Sequence, residues 1–317
     1  MTFGEDHCKD VWAPFGLSIT TSVVTSLLTV ITVPGNLLIC IAILKDPNKE
    51  LRTSFNYLLM NVAISDLLVG AITDPIFVLF HIREALGYQV ITWIAVPHMS
   101  FFIGCTSSLL SIAMLAVERA VAVNATYHRK LPRKRAINMS IAIWIFSIAF
   151  PCIYFQIGYF KFAFIFSILM IIVTFVTLVT SFLRIHSNVR RHVSVKIPKI
   201  EEGPEPRRST WSNNMQAKRL EYENRVTQIF KAILIFYAIC NVPAFVFVFI
   251  VNLCESCDCY LIHWSRDLIL LCVLTNCAGN QFLYAWRMRS FTRSFRSLIK
   301  LPVSETSMVV PQSTTNV

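Results

Sequence analysis

Seven long apolar segments run through this chain, at roughly 16–44, 54–82, 88–122, 136–156, 161–185, 225–253 and 261–286. Each approaches or exceeds the roughly 20 residues that a helix needs to cross a bilayer. Hydrocarbon offers no partner to an open backbone, so segments of this kind are helices. The expected fold is therefore an all-α membrane protein, a bundle of seven transmembrane helices. Composition agrees: 55% of residues are hydrophobic and 15% charged, against about 45–50% and 25% in soluble domains. The apolar stretch from 136 to 183 is too long for one span, and Gln156, Gly158, Tyr159 and Lys161 form its only turn signal. Spans four and five are thus expected to share a very short connection.

Charge orients the bundle. With the N-terminus outside, Lys9, Arg83, Lys161 and Arg266 fall on the outer side and the other 25 of the 29 Lys and Arg on the inner side. That is the positive-inside pattern, which also accounts for the net charge of +11 without nucleic acid as a partner. The opening MTFGEDHCKDVWAPFG has no apolar h-region, so no cleavable signal peptide is expected. The expected division is a short outer N-terminus (1–15), the helical domain (16–300) and a disordered inner tail (301–317). The third inner loop, about 186–222, is rich in proline and charge and reads as disordered. RSFTRSFRSLIK (289–300) alternates basic residues with Phe291, Phe295 and Leu298, the pattern of a short amphipathic helix on the inner leaflet.

Polar residues inside the spans carry the functional argument. Asp66 sits near the middle of its span, where a carboxylate is costly and persists only among polar partners; it is the single charge expected at clear mid-bilayer depth. Ser108 and Arg119 lie eleven residues, about three turns, apart on one face of the third span. Asn276, Asn280 and Tyr284 are spaced i, i+4, i+8 in the seventh, and Asn36 follows Pro34 and Gly35 in the first. Cys8, Cys254, Cys257 and Cys259 lie outside the spans. Four cysteines allow three pairings. One bridge within CESCDC and one to Cys8 is the expectation, with a zinc site as the alternative.

These residues carry a resemblance. GN (35–36), LLMNVAISDLL (58–68), Glu118-Arg119, Trp144, CNVP (240–243) and NxxxNxxxY (276–284) occur in the order found in the rhodopsin-like class of G-protein-coupled receptors, and the resemblance covers about 16–300. It implies a receptor in the plasma membrane that passes an extracellular signal to a heterotrimeric G protein as the sixth helix swings outward. It implies no enzyme activity and no cofactor beyond a sodium ion. Asp66, Ser108, Asn276 and Asn280 match that class's internal sodium site, with Asp66 and Ser108 as ligands. Arg119, beside Glu118, matches the residue that meets the G protein, and Glu223 matches the acid that locks it in the closed state. Pro243, with Cys240 and Asn241, matches the kink and switch of the sixth helix. Asp74, His98, Phe101 and Phe102 would line the ligand pocket. The Ser and Thr of the tail would serve receptor kinases and arrestin.

The chain also departs from the pattern. Ile94 stands where a bridging cysteine is usual, the fifth helix lacks its proline, and Asn241 and Gln281 replace the aromatic switch and the proline of the seventh-helix motif. Those departures and the cysteine-rich last outer loop resemble the melanocortin branch and its lipid- and adenosine-receptor relatives. Phe101 replaces the aspartate of amine receptors and Leu274 the retinal lysine of opsins. An apolar or lipid-like ligand, or a peptide with an aromatic anchor, suits the remaining wall. The competing readings are a receptor-like orphan that signals without ligand or has lost coupling, and a transporter or channel; no internal repeat supports the latter.

Overall fold

The structure, a computed structural model, describes residues 8, 11–88, 93–124, 132–195, 208–254 and 256–299, with side chains left out at some helical positions, among them 120–124, 184–195 and 208–224. It is all-helical. Helix α1 is Phe15–Lys45. Helix α2 is Ser54–Leu68, continued through a π-helical turn, Val69–Thr73, into Asp74–Ala85. Helix α3 is Ala95–Asn124. Helix α4 is Arg133–Ala149, prolonged by a 3-10 turn, Phe150–Ile153, and by Tyr154–Ile157. Helices α5 (Tyr159–Val195), α6 (Arg208–Leu253), α7 (Cys259–Arg287) and α8 (Arg289–Ile299) complete the chain. Among the described residues seven helices are long and apolar enough to span a membrane. Their outward surfaces carry side chains such as Val30, Ile145, Phe175 and Ile239, each more than 60% exposed, as a lipid-facing wall must.

Three boundaries differ from the sequence reading. The third helix begins at Ala95 rather than 88, after a turn in which Val96 N–H donates to the Trp93 carbonyl. The presumed disordered loop of 186–222 is largely helical: α5 runs on to Val195 and α6 starts at Arg208. The segment MQAKRLEYENR is built from good helix formers, and its charge was misread as a signal for disorder. The tail, 301–317, lies outside the described residues. Between α4 and α5 only Gly158 intervenes, at φ +84°, a left-handed conformation that suits glycine.

Local chemistry sets the joints. Asp46, in left-handed conformation at the end of α1, accepts from the backbone N–H groups of Glu50 and Leu51 at 2.9 Å each. Thr53 caps α2 through the Asn56 N–H. Two disulfides, Cys8–Cys259 and Cys254–Cys257, use all four cysteines of the end that carries the N-terminus, so none of the four is left as a thiolate for zinc. That end is the N-face below, and the opposite end the C-face. At the C-face, Phe291 of α8 is fully buried and Arg293 reaches Glu50 at 2.8 Å.

Helices α1 and α7 meet through an unusual pair. Pro34 removes the donor that the Val30 carbonyl would otherwise have. One residue on, the Ile31 carbonyl accepts from Gln281 Nε2 at 2.8 Å. Gln281 can lie there because residue 35 has no side chain: a Cβ on Gly35 would overlap the Gln281 amide. Gly35→Ala is expected to lower stability by about 1–3 kcal/mol, and Gly35→Ala with Gln281→Ala to recover most of it, measured by thermal denaturation in detergent micelles.

Candidate functional site

Helix α1 presents a buried polar stripe to the bundle. Ser18, Thr21, Thr25, Thr32 and Asn36 are each at most 1% exposed, and spacings of three, four and seven residues keep them on one face. The stripe meets α2 and α7 along three polar levels.

The deepest level holds the residues expected from the sequence. Asp66 is buried, and its Oδ2 accepts from Asn280 Nδ2 at 3.0 Å, with Asn276 Oδ1 3.5 Å from the same nitrogen. Asn36 Nδ2 donates to the Thr32 carbonyl at 3.0 Å and to the Cys277 carbonyl at 3.3 Å, tying α1 to α7. On the α3 side, Gly104 lets the helix approach Ser65 and Val69 of α2, with Ser108 one turn further along. Among the described residues the Ser108 hydroxyl and Asn280 Oδ1 are buried with no hydrogen-bond partner. One carboxylate, a hydroxyl and amide oxygens are the ligand types a hard cation takes, so the residues present fit a sodium ion. Tyr284 is buried nearer the C-face.

The middle level holds Asp74, which the sequence reading assigned to the ligand pocket. The structure places it elsewhere: it is fully buried and faces Thr29 of α1, whose Oγ1 lies 3.3 Å from Asp74 Oδ2. The reason is the π-helical turn between the two acids. It accommodates one extra residue, so Asp74 occupies the angular position of a seventh residue after Asp66, two full turns on and on the same side. Asp66 is therefore not alone at depth, which corrects the expectation of a single buried charge.

The level at the N-face was not anticipated. Arg266 of α7 grips Glu84 of α2 with two hydrogen bonds, Nη1 to Oε1 at 2.7 Å and Nη2 to Oε2 at 2.8 Å, and reaches its neighbour Asp267 through Nε at 2.8 Å. Ser18 donates to Glu84 Oε2 and Thr21 to Asp267 Oδ2, both at 2.8 Å. His81 Nδ1 lies 3.3 Å from Glu84 Oε2. The forked guanidinium geometry makes this a strong, directional contact, and it joins α1, α2 and α7.

Beside this cluster opens a cavity of about 710 Å³. Much of its lining is aromatic: Phe101, Phe102, Tyr154, Tyr159, Phe166 and Phe245 line it together with His98 and Asn241. His98 stacks on Tyr159 with ring centroids 4.2 Å apart and shares a hydrogen bond with the Tyr154 hydroxyl. Cys8, Val11, Trp12 and Ala13 also line it; His263 Nε2 donates to the Val11 carbonyl at 2.9 Å. His98, Phe101 and Phe102, named from the sequence as candidate pocket residues, line this cavity.

In α6, Asn241 Nδ2 donates to the Tyr237 carbonyl at 2.9 Å, Cys240 is buried, and the helix continues unbroken through Pro243. At the C-face, Arg119 is buried, bonded to Glu118 through Nε and set over the Phe55 ring at 4.7 Å. The side chain of Glu223 lies outside the described residues. Two features that sequence reasoning missed were visible in principle: the Ser/Thr/Asn periodicity of the first span, and the recurrence of Glu84 and Arg266-Asp267 at matching outer margins.

Residues 35–159 match the family model described as "7 transmembrane receptor (rhodopsin family)". The chain is similar to neuromedin-U receptor 2 of Mus musculus, 35% identical over 138 residues, 42% of this chain and 34% of that protein. It is also similar to D(2) dopamine receptor A of Xenopus laevis, 30% identical over 135 residues, 40% of this chain and 29% of that protein. The alignments thus span about a third of the length of these curated relatives, each of them named a receptor. Squid rhodopsin has the same fold, with a TM-score of 0.72 over 92% of this chain and 88% of that one, at 15% identity. The chain is a multi-pass membrane protein with the seven-helix architecture of that structure.

Replacing Arg266 leaves Glu84 and the buried Asp267 without their common cation. Arg266→Gln is expected to cost about 2 kcal/mol, below the 3–5 typical of a fully buried pair because its side chain is one third exposed. A double-mutant cycle with Glu84→Gln, read by thermal denaturation, should return a coupling energy above about 1 kcal/mol.

Proposed function

We propose that this chain is a signalling receptor of the rhodopsin-like class. Its N-terminus faces outward at the plasma membrane, a ligand occupies the aromatic cavity, and a heterotrimeric G protein docks at the C-face. The observation that carries the reading is the buried network of Asp66, Asn280, Asn276 and Asn36. It links α1, α2 and α7 between the cavity and Arg119, so a ligand that shifts one of these helices must repack the others. The family match of residues 35–159 and the shared architecture support it.

A sodium ion held by Asp66 and Ser108, with Asn276 and Asn280 beside them, supplies the positive charge the carboxylate lacks and favours the packing described above. Outward movement of α6 about Pro243 then exposes Arg119, with Glu223 as its partner in the closed state. The cavity's apolar lining suits an apolar or lipid-like ligand, or a peptide with an aromatic anchor. Kinship with the melanocortin branch is a finer proposal. It rests on Ile94 in place of a cysteine, on Gly158 as the whole α4–α5 connection and on the Cys254–Cys257 bridge. Receptor kinases and arrestin are proposed as further partners, and lipid headgroups for the basic residues of α8.

One observation favours a receptor-like orphan of low coupling as a second reading. Gln281, one of the two altered switch positions, ties α7 to the Ile31 carbonyl of α1, a bond that a moving α7 has to break.

Arg119→Ala is expected to abolish nucleotide exchange on a reconstituted G protein while surface expression stays near wild type; unchanged exchange counts against the receptor. Asp66→Asn is expected to remove the sodium dependence of agonist affinity in radioligand competition.

A further inference from the structure

The aromatic cavity has two chemically different ends. Its charged lining, Arg83, Glu84, Arg266 and Asp267, belongs to the N-face: Glu84 is next to the last residue of α2, and Arg266 lies about 10 Å into α7. Asn241 of α6 also lines the cavity, about 18 Å from the N-face end of its helix at Leu253. Ser167 lines it about 12 Å into α5. These two are the oxygen-bearing side chains of the inner end, and no charged residue of the lining comes from that depth.

Both donate to their own helix. Asn241 Nδ2 bonds the Tyr237 carbonyl at 2.9 Å, and Ser167 Oγ the Ala163 carbonyl at 2.8 Å. The first bond fixes which way the Asn241 amide faces, since a flipped amide sets two oxygens against each other. Among the described residues Asn241 Oδ1 is left without a partner, on a residue only 7% exposed. Asn252, three turns nearer the N-face on the same side of α6, repeats the arrangement: its Nδ2 donates to the Val248 carbonyl at 2.7 Å, and its Oδ1 has no partner among the described residues. Helix α6 thus brings acceptors to both ends of the cavity. A buried acceptor without a donor is costly, and a ligand that supplies the donor removes that cost.

The chemistry of that donor is restricted. A carboxylate at the inner end sets lone pairs against lone pairs. An ammonium there loses its water with no counter-charge to replace it. A neutral hydroxyl has neither fault, and a ring behind it packs on Phe101, Phe102, Phe166 and Phe245. We infer that the cavity takes a phenol, an elongated apolar molecule that enters ring first, donates its hydroxyl to Asn241 Oδ1 and leaves its chain toward the N-face. This site rests on the reading that a ligand occupies the cavity, and does not rest on coupling to a G protein.

The test measures binding directly, with full-length protein in nanodiscs, tritiated probes and empty nanodiscs subtracted. Two phenols, 4-octylphenol and N-octanoyl-tyrosinamide, are each set against an analogue without the hydroxyl proton, 4-octylanisole and N-octanoyl-phenylalaninamide. Wild type is expected to prefer one of the phenols to its analogue about tenfold, and which pair shows it tells whether the phenol comes on a lipid-like chain or on a peptide. Asn241→Leu is expected to bring that ratio to about one, with the analogue bound within about twofold of wild type. Equal affinities in both pairs overturn the proposal, as does a preference that Asn241→Leu leaves unchanged. Tighter binding of 4-octylbenzoate or 4-octylbenzylammonium than of 4-octylphenol to wild type also overturns it, and this comparison needs no variant to fold. A phenol bound with its preference but without effect on nucleotide exchange upholds this site and sinks the coupling. Exchange that depends on Arg119, with no preference for the hydroxyl, sinks this site and leaves the receptor standing.

Discussion

Every polar side chain in a lipid-embedded bundle has to find its partner inside the bundle, and here the partners lie along a single seam. The buried stripe of α1 supplies hydroxyls and an amide at regular intervals, α2 supplies acids, and α7 supplies Arg266, Asp267, Asn276 and Asn280. Remove that seam and the three helices are left with apolar contacts such as those of Ile39, Leu58 and Tyr284, which discriminate poorly between one arrangement and another in a solvent as apolar as they are. The polar seam gives the packing its register. It also couples the ends of the molecule: a displacement of α7 at the cavity is transmitted to Asp66 by bonds with definite geometry.

The N-face is organised differently from what the missing cysteine at Ile94 would suggest. Without a bridge from α3, the helix ends at this face are held by the Arg266 fork and by the Cys8–Cys259 disulfide, both of which anchor at α7. Helix α7 is thereby tied to α1, α2 and the N-terminal segment, while α4 and α5 meet each other and α3 through rings such as Phe102, Phe150, Phe162 and Phe166. Aromatic contacts tolerate sliding more readily than charged forks do. The bundle accordingly has a side fastened by charge and disulfide and a side held by aromatic packing.

The spans, the short α4–α5 joint and the depth of Asp66 were legible in the sequence because hydrophobic length and Gly158 act locally. The partners of Asp66 were legible through spacing along α7. Asp74 was misplaced because a π-helical turn leaves no local mark: VGAIT reads as ordinary helix, and only packing against Thr32 and Gly104 reveals the extra residue. The link between Gly35 and Gln281 was equally hidden. Each residue is unremarkable alone, and 246 positions of chain separate them. The stripe on α1 is hard to read for a simpler reason. Serine and threonine are tolerated in transmembrane helices through bonds to their own backbone, so their presence alone signals nothing, although their phase is informative.

Gly158 has a further consequence. A single-residue turn leaves no chain to arch over the cavity from the α4–α5 side, so the covering on the N-face comes from residues 8 and 11–13, stapled to the start of α7 and held by His263. The lintel of the cavity is thus the segment just before α1. A bulky group attached to Val11 or Trp12 would stand directly at its mouth.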